Sequence, residues 1–321
     1  MITHAYMAPM DEITTYVFRN AHHRFYAPMD KYFTPFLSPA DFGPIFDPKE
    51  MSEIDPVNNQ GLCVVPQLMV GRSDVCLTAL DLLRQIGYQE VNLNMGCPSG
   101  IVVKKRKGCG MLRDPAALNH FLDDVFTSLP TGMHLSVKTR LGMQDPAEFT
   151  ALIEVFKHYP IHELILHPRV RTQFYRGMIH KASYRRAAES LPYPTIYNGE
   201  LRRTEDLAAL EAEFPSVSCV MLGRGLIEHP GIWTAYQSKD FMSTDPSPED
   251  FSTFLAFHDA LVQGYCELLP RESSVVVKMK KLWACWKNIF PQNQEAIRRI
   301  LQTNSLDEYR EMTQQIWRDD L

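Results

Sequence analysis

No stretch of about 18 or more apolar residues occurs in this chain, so no membrane-spanning helix is expected. Its first residues, Met1-Ile2-Thr3-His4-Ala5-Tyr6, lack a basic region followed by an apolar one. No signal peptide is therefore expected, and the protein is placed in the cytoplasm. The seven cysteines (Cys63, Cys76, Cys97, Cys109, Cys219, Cys266 and Cys285) are scattered and form no CxxC pair. That excludes the spacing of a zinc site or a disulfide frame and leaves most of them as buried, reduced thiols. Positive charge is in deficit, with 33 Lys and Arg against 38 Asp and Glu and a net charge of −5. A globally basic nucleic-acid binder is disfavoured, but a local basic surface is not, because distribution matters more than the sum. There is no GxGxxG, no solenoid-length repeat and no low-complexity tract.

What remains is an ordinary composition, 45% hydrophobic and 22% charged over 321 residues. It suffices for one large domain, or one plus a small second domain. Short apolar runs suggest strands at Ala5–Ala8, Lys31–Phe33, Cys63–Met69, Glu90–Leu93, His134–Lys138, Glu163–His167, Thr195–Tyr197 and Ser218–Leu222. Between most of them lie amphipathic helical stretches: Val75–Ile86, Pro115–Ser128, Pro146–His158 and Thr204–Glu213. Asp114-Pro115 and Asp145-Pro146 read as helix starts, an acidic cap followed by proline in the first turn. Alternation about eight times over about 230 residues predicts an α/β fold, a (β/α)8 barrel, with a doubly wound sheet as the alternative.

The polar stretch Ser238–Asp250 holds two prolines and reads as a linker. Beyond it the pattern is helical only: Phe251–Leu269, Ser273–Ile289, Gln292–Gln302 and Ser305–Asp320. The expected division is a catalytic barrel over residues 1–240 and a helical bundle over 241–321.

In a barrel, the residues that follow each strand share one rim, where reacting groups are mounted. That rim would collect Ala8-Pro9-Met10, Gln67, Asn94, Cys97, Lys138, Arg140, His167, Arg169, Asn198-Gly199-Glu200 and Gly223-Arg224-Gly225. Each taken singly reads as a turn glycine, a solvated charge or, for Cys97, a small apolar filler. Together they favour a ligand rich in hydrogen-bond acceptors. The glycines after the last two strands would let backbone N–H groups approach a phosphate. Lys138, Arg140, Gln67 and His167 would point donors at a planar, carbonyl-bearing ring, and FMN fits both demands. A lysine near the flavin N1 and C2 carbonyl would stabilise the reduced ring.

These segments also carry a family resemblance. Ala8-Pro9-Met10, Asn94-Met95-Gly96-Cys97-Pro98-Ser99, Gly108-Cys109-Gly110-Met111-Leu112 and Val137-Lys138-Thr139-Arg140-Leu141-Gly142 are joined by His167-Pro168-Arg169, Tyr175-Arg176-Gly177, Asn198-Gly199-Glu200 and Gly223-Arg224-Gly225. Over nearly its whole length the chain resembles the tRNA-dihydrouridine synthases. The resemblance implies an FMN-binding TIM barrel followed by a helical tRNA-binding domain. The implied reaction reduces a specific uridine in tRNA to 5,6-dihydrouridine using NADPH, with hydride from reduced FMN to C6 and a proton from Cys97 to C5. It implies that Pro9, Met10, Gln67, Lys138, His167, Asn198, Gly199, Glu200, Gly223 and Arg224 surround FMN, and that Asn94, Arg140 and Tyr175 hold the uracil. Its partners would be tRNA and NAD(P)H, with no membrane and with the chain expected as a monomer. The motifs depart from the family at Met95 and at His167-Pro168-Arg169-Val170, where His-Gly-Arg-Thr is commoner. Lys104-Lys105-Arg106-Lys107 is more basic than is usual after the cysteine.

The chemistry asks for these residue types. A thiol is mostly protonated at neutral pH and can serve as a general acid. Negative charge building on the uracil C4 oxygen needs a donor such as Arg140 or Asn94. Cys109 is the competing thiol, read as structural or near the flavin phosphate. Extruding the uridine costs a few kcal/mol, which phosphate contacts offset. Lys104–Lys107, Arg185-Arg186, Arg202-Arg203 and Lys278-Met279-Lys280-Lys281 are the basic clusters available. The last, with Trp283 and Trp286 interleaved, is the favoured one, although those tryptophans read first as core. Two other readings stay open: a flavin barrel acting on a free small molecule, and a tRNA-binding or folding factor without catalysis.

Overall fold

The computed structural model describes residues 1–40, 42–239 and 248–319. The central part of the expected linker, residues 240–247, lies outside them. The described chain forms two compact units interleaved in sequence. One comprises residues 1–9, 30–200 and 211–222, and the other residues 10–29, 201–210 and 223–321.

The first unit is a parallel sheet. Its strands are β1 (His4–Met7), β2 (Lys31–Phe33), β3 (Val64–Val65), β4 (Gln67–Leu68), β5 (Glu90–Met95), β6 (His134–Thr139), β7 (Leu164–Leu166), β8 (Thr195–Tyr197) and β9 (Cys219–Leu222). They run in the order β3-β2-β1-β9-β8-β7-β6-β5-β4. The two ends of that order are halves of one expected strand, so the sheet closes on itself as a barrel. Pro66 causes the split, because it has no N–H to give the ladder. Its carbonyl still accepts from Asn92 N at 2.8 Å.

Strand side chains alternate between faces. Tyr6, Ala8, Phe33, Val65, Ile165, Ile196, Cys219 and Met221 form one buried apolar cluster. On β4, β5 and β6 the equivalent positions are polar: Gln67, Asn92 and Ser136 are buried and in register with one another. At the strand starts, Lys31 Nζ bonds Glu90 Oε2 at 2.7 Å and Glu163 Oε1 at 3.0 Å, while Tyr6 OH donates to Glu163 at 2.9 Å. This is the rim opposite the strand ends, where barrels place stability rather than chemistry.

Helices Ser73–Ile86, Pro115–Thr127, Phe149–Phe156 and Lys181–Ser190 belong to this unit. Asp114 accepts from the amides of Ala116 and Ala117, as its position before Pro115 foretells. The expected helix Pro146–His158 is shorter. Asp145, Pro146 and Glu148 close a capping box on a 3₁₀ turn, and the α-helix begins at Phe149.

The second unit is helical. Helix Tyr16–Phe25, hidden in the sequence by its polar face, packs on helix Pro248–Leu268. Phe18 meets Phe257 edge-on at 5.5 Å, and Thr15 Oγ1 lies 3.1 Å from Tyr265 OH. Gly264 permits the approach, since a Cβ there would lie 2.7 Å from Val17. Helices Arg224–Glu228, Ile232–Ser238, Glu272–Trp286, Gln294–Ile300 and Leu306–Asp319 also belong to this unit. His258 is buried with its Nε2 2.5 Å from Tyr309 OH, which also accepts from Trp283 Nε1 at 2.8 Å.

The lysines of the favoured basic cluster have partners within the helical unit. Lys278 Nζ donates to the Glu12 carbonyl at 2.9 Å, Lys280 Nζ donates to the Thr303 carbonyl at 2.8 Å, and Lys281 pairs with the Glu12 carboxylate. Trp283 and Trp286 are fully buried. These lysines tie the unit together, and the tryptophans form its core. Among the described residues no helix is long and apolar enough to cross a membrane.

Candidate active site

Strand β5 runs two residues past its expected end, so Asn94 stands on the strand beside Lys138 of β6. Cys97 follows two residues after β5 ends. The turn that carries it is templated by Asn94, whose Oδ1 accepts from Gly96 N at 3.1 Å and from Cys97 N at 3.0 Å. This is the local capping that Asn side chains offer a chain leaving a strand.

Asn94 is itself held. Its Nδ2 donates to Gln67 Oε1 at 2.7 Å, Gln67 Nε2 donates to Asn92 Oδ1 at 2.8 Å, and Asn92 Nδ2 donates to Ser136 Oγ at 2.9 Å. A polar chain thus crosses β4, β5 and β6 and ends under the cysteine. Gln67 is fully buried and acts on Asn94. Of the two N–H of Asn94, one remains for a substrate. Asn92 escaped the sequence reading. Its signal was the alternation Glu90-Asn92-Asn94 against Val91-Leu93-Met95.

Lys138 is half-buried, and its ammonium makes no hydrogen bond or ion pair with a described residue. Burial, aided by the nearby Arg140 charge, pushes its ammonium down to about 7. Arg140 is 2% exposed. Its Nε donates to Gly96 O at 3.0 Å, and its Nη1 donates to Val170 O at 3.3 Å and Phe174 O at 2.6 Å. It therefore clamps the cysteine turn to the loop after β7. The Tyr175 ring lies 5.2 Å from the same guanidinium and 6.2 Å from the His167 ring, stacked on the latter. Arg169 reaches Glu200 at 2.5 Å and the Gly177 carbonyl at 2.7 Å.

Cys109 N donates to Cys97 O at 3.0 Å, but its thiol is fully buried and pushed up to about 12 by that burial. Cys97 is only half-buried. Gly108, at φ +56°, lets this second turn fold beneath Cys97, where a Cβ would come within 2.9 Å.

Asn198 Nδ2 donates to Met221 O at 2.8 Å, and Gly199 is buried beside Pro168 and Ile179. Pro9 ends the first segment of the barrel unit. Met10, Gly223 and Arg224 fall in the helical unit. There Met10 N donates to Thr14 Oγ1 at 2.8 Å, and Gly223 O accepts from Leu226 N at 3.0 Å at the head of helix Arg224–Glu228. Gly225 is required for packing: a Cβ there would fall 1.9 Å from Leu201 O.

The first unit offers a half-buried cation with no partner among the described residues, a connected set of polar strand side chains and a thiol on a fixed turn. That donor set suits a planar ring bearing carbonyl and ring-nitrogen acceptors, as FMN has.

Comparison with known proteins points the same way. Residues 6–318 match the family described as Dihydrouridine synthase (Dus). The chain is 29% identical to the "Probable tRNA-dihydrouridine synthase 1" of Synechocystis sp., over 70% of this chain and 61% of that protein. It is 27% identical to the "tRNA-dihydrouridine(16) synthase" of Pseudomonas putida over 51% of each. With the Neisseria meningitidis serogroup A protein of the same name it shares 24% identity over 77% of this chain and 74% of that one. The chain thus spans less than two thirds of the first two relatives. In fold it is similar to histamine dehydrogenase from Rhizobium sp. 4-9, with TM-score 0.54 and 10% identity over 74% of this chain and 46% of that one. It is also similar to morphinone reductase in complex with tetrahydroNAD, with TM-score 0.51 and 10% identity over 77% of this chain and 89% of that one. At these identities the likeness concerns the fold alone. From the match along almost its full length, the chain belongs to the dihydrouridine synthase family.

Proposed function

We propose that this protein reduces a uridine of tRNA to 5,6-dihydrouridine, with NADPH as the reductant. The observation that carries this reading is the grip of Asn94 Oδ1 on the Gly96 and Cys97 amides, which fixes a half-buried thiol two residues beyond a barrel strand, with Asn94 itself paired beside Lys138. A bound FMN would supply the hydride that reaches C6 of the uracil. Cys97 holds the proton that goes to C5. The remaining N–H of Asn94 and the Tyr175 ring orient the base, and Arg140 keeps both turns in place. Lys138, His167, Asn198, Gly199 and Glu200 are the barrel residues proposed to hold FMN, with Gln67 acting through Asn94.

The names of the Pseudomonas and Neisseria relatives support position 16 as the uridine. Incubating unmodified tRNA with the holoprotein and NADPH, then analysing nucleosides and mapping the reduced position, tests both parts. Absence of dihydrouridine would overturn the activity, and reduction elsewhere would overturn the position.

Lys138 makes cofactor binding pH-dependent. Its lowered ammonium is charged below about pH 7 and neutral above. A ring that needs the charge raises the pKa and takes up a proton on binding. FMN affinity of the apoprotein is therefore expected to weaken between about pH 6 and about pH 8.5, and Lys138→Met to flatten that slope. Fluorescence titration reads it, and an identical slope in the variant would remove Lys138 from the cofactor.

Lys104, Lys105 and Arg106 are exposed, their side chains make no hydrogen bond or ion pair with a described residue, and they follow the Cys97 turn. We assign them the tRNA backbone ahead of Lys280 and Lys281. The double reversal Lys104→Glu, Lys105→Glu should weaken tRNA binding and lower its salt slope by about 2, while the same change at Lys280 and Lys281 has the smaller effect. The opposite ranking would move the interface to the helical unit.

A further inference from the structure

The loop after β7 contains a residue whose placement the reaction so far leaves unexplained. Phe174 has φ 49° and ψ −104°, a backbone region that favours glycine. Its ring is 44% exposed, so core packing does not account for a bulky side chain at a strained position. Such strain persists where the surroundings enforce it, most often at functional sites. The enforcement is visible here: Phe174 N donates to Arg171 O at 3.0 Å, and Phe174 O accepts from Arg140 Nη1 at 2.6 Å.

The ring itself is also fixed. The Arg171 guanidinium lies 5.4 Å from its centroid, and Arg171 Nε donates to Pro98 O at 3.1 Å, in the turn that carries Cys97. Phe174 is thus tied to the reacting thiol by two arginines, Arg140 through Gly96 and Arg171 through Pro98. Tyr175, the next residue, is 47% exposed with its ring 5.2 Å from the Arg140 guanidinium, and Arg171 Nη2 reaches toward Gly100, at the start of the short helix that leads to Lys104, Lys105 and Arg106. An aromatic face beside cations is the arrangement that receives an unstacked base of a polyanion.

We propose that Phe174 is the stacking platform for a base flanking the reduced uridine, and so helps determine which uridine reaches Cys97. This rests on the tRNA reading above. The flanking base gains on Phe174 part of the stacking it loses when its neighbour leaves the helix.

A double-mutant cycle tests it. The partners are Phe174→Gly, which suits the backbone, and an abasic site in the tRNA on either side of the target uridine. Each change alone should lower kcat/KM by roughly tenfold or more. For one of the two flanks the combination should cost no more than either alone, and Phe174→Trp should retain activity. Independent, multiplying losses at both flanks, or full activity of Phe174→Gly, would overturn the proposal. If Phe174→Gly lowers the melting temperature, Phe174→Leu replaces it in the same cycle, because leucine keeps the bulk without the π face. Wild-type protein that forms no dihydrouridine in intact tRNA would instead overturn the underlying activity, which separates the two failures.

Discussion

Replacing Cys97 by alanine is expected to leave a folded, yellow protein whose dihydrouridine formation has fallen by about 10²–10⁴. The turn itself does not depend on the sulfur. Asn94 grips backbone amides, and Arg140 and Arg171 hold the carbonyls of Gly96 and Pro98, so alanine inherits the same geometry. What disappears, on the proposed mechanism, is the proton for C5. Cys109→Ala is the matched control. Its thiol is fully buried and pushed up to about 12, out of reach of a substrate, and its loss should change turnover only a few-fold. Product counting by nucleoside mass analysis, alongside the flavin absorbance, gives both readings. A Cys97→Ala protein with wild-type turnover, or a Cys109→Ala protein that alone is inactive, would reassign the acid.

The second large effect is expected at Arg140. Arg140→Met keeps the volume but removes the donors to the carbonyls of Gly96 and Phe174, and one of the two donors to Val170 O, which keeps Gln173 N at 3.3 Å. Leaving buried acceptors without partners costs about 1–3 kcal/mol each, less where a loop relaxes into water, so a loss of about 3–5 kcal/mol is expected. Activity should fall by at least about 10²-fold, because the cysteine turn and the Tyr175 loop lose their common anchor. Lysine should not rescue it, since one ammonium cannot reproduce a fork aimed at three carbonyls. Urea denaturation compared with steady-state rates decides the matter. An unchanged midpoint with lost activity would make Arg140 a substrate contact alone.

Much of this was legible in the sequence, for local reasons. The strands Lys31–Phe33 and Thr195–Tyr197 fall where their apolar runs are bounded by turn residues, and the caps at Asp114 and Asp145 follow from the proline that comes after each. The site's outline was legible too, because a barrel gathers its strand ends. What escaped depends on partners far away in the chain. Arg140 reads as a free donor until Phe174, 34 residues on, is seen to occupy it. Lys280 reads as a surface charge until the Thr303 carbonyl appears beneath it. Asn92 looks like strand filler until Gln67 and Ser136 close the relay. Phe174 gives no local sign at all, because nothing in Gln173-Phe174-Tyr175 announces a positive φ.

The interleaving of the two units carries a consequence for how this chain can be cut or inherited. Helix Tyr16–Phe25 is encoded between the first two barrel strands, yet its apolar side is completed by Phe257 and Tyr265 from beyond position 248. The helical tail is therefore no detachable appendage in the genetic sense. A gene shortened after the barrel would encode a protein with Phe18 and Val17 bare to water, and a tail transplanted alone would arrive without the helix that seats it. Removing or transplanting the helical unit must therefore carry residues 10–29 together with those from 223 onward.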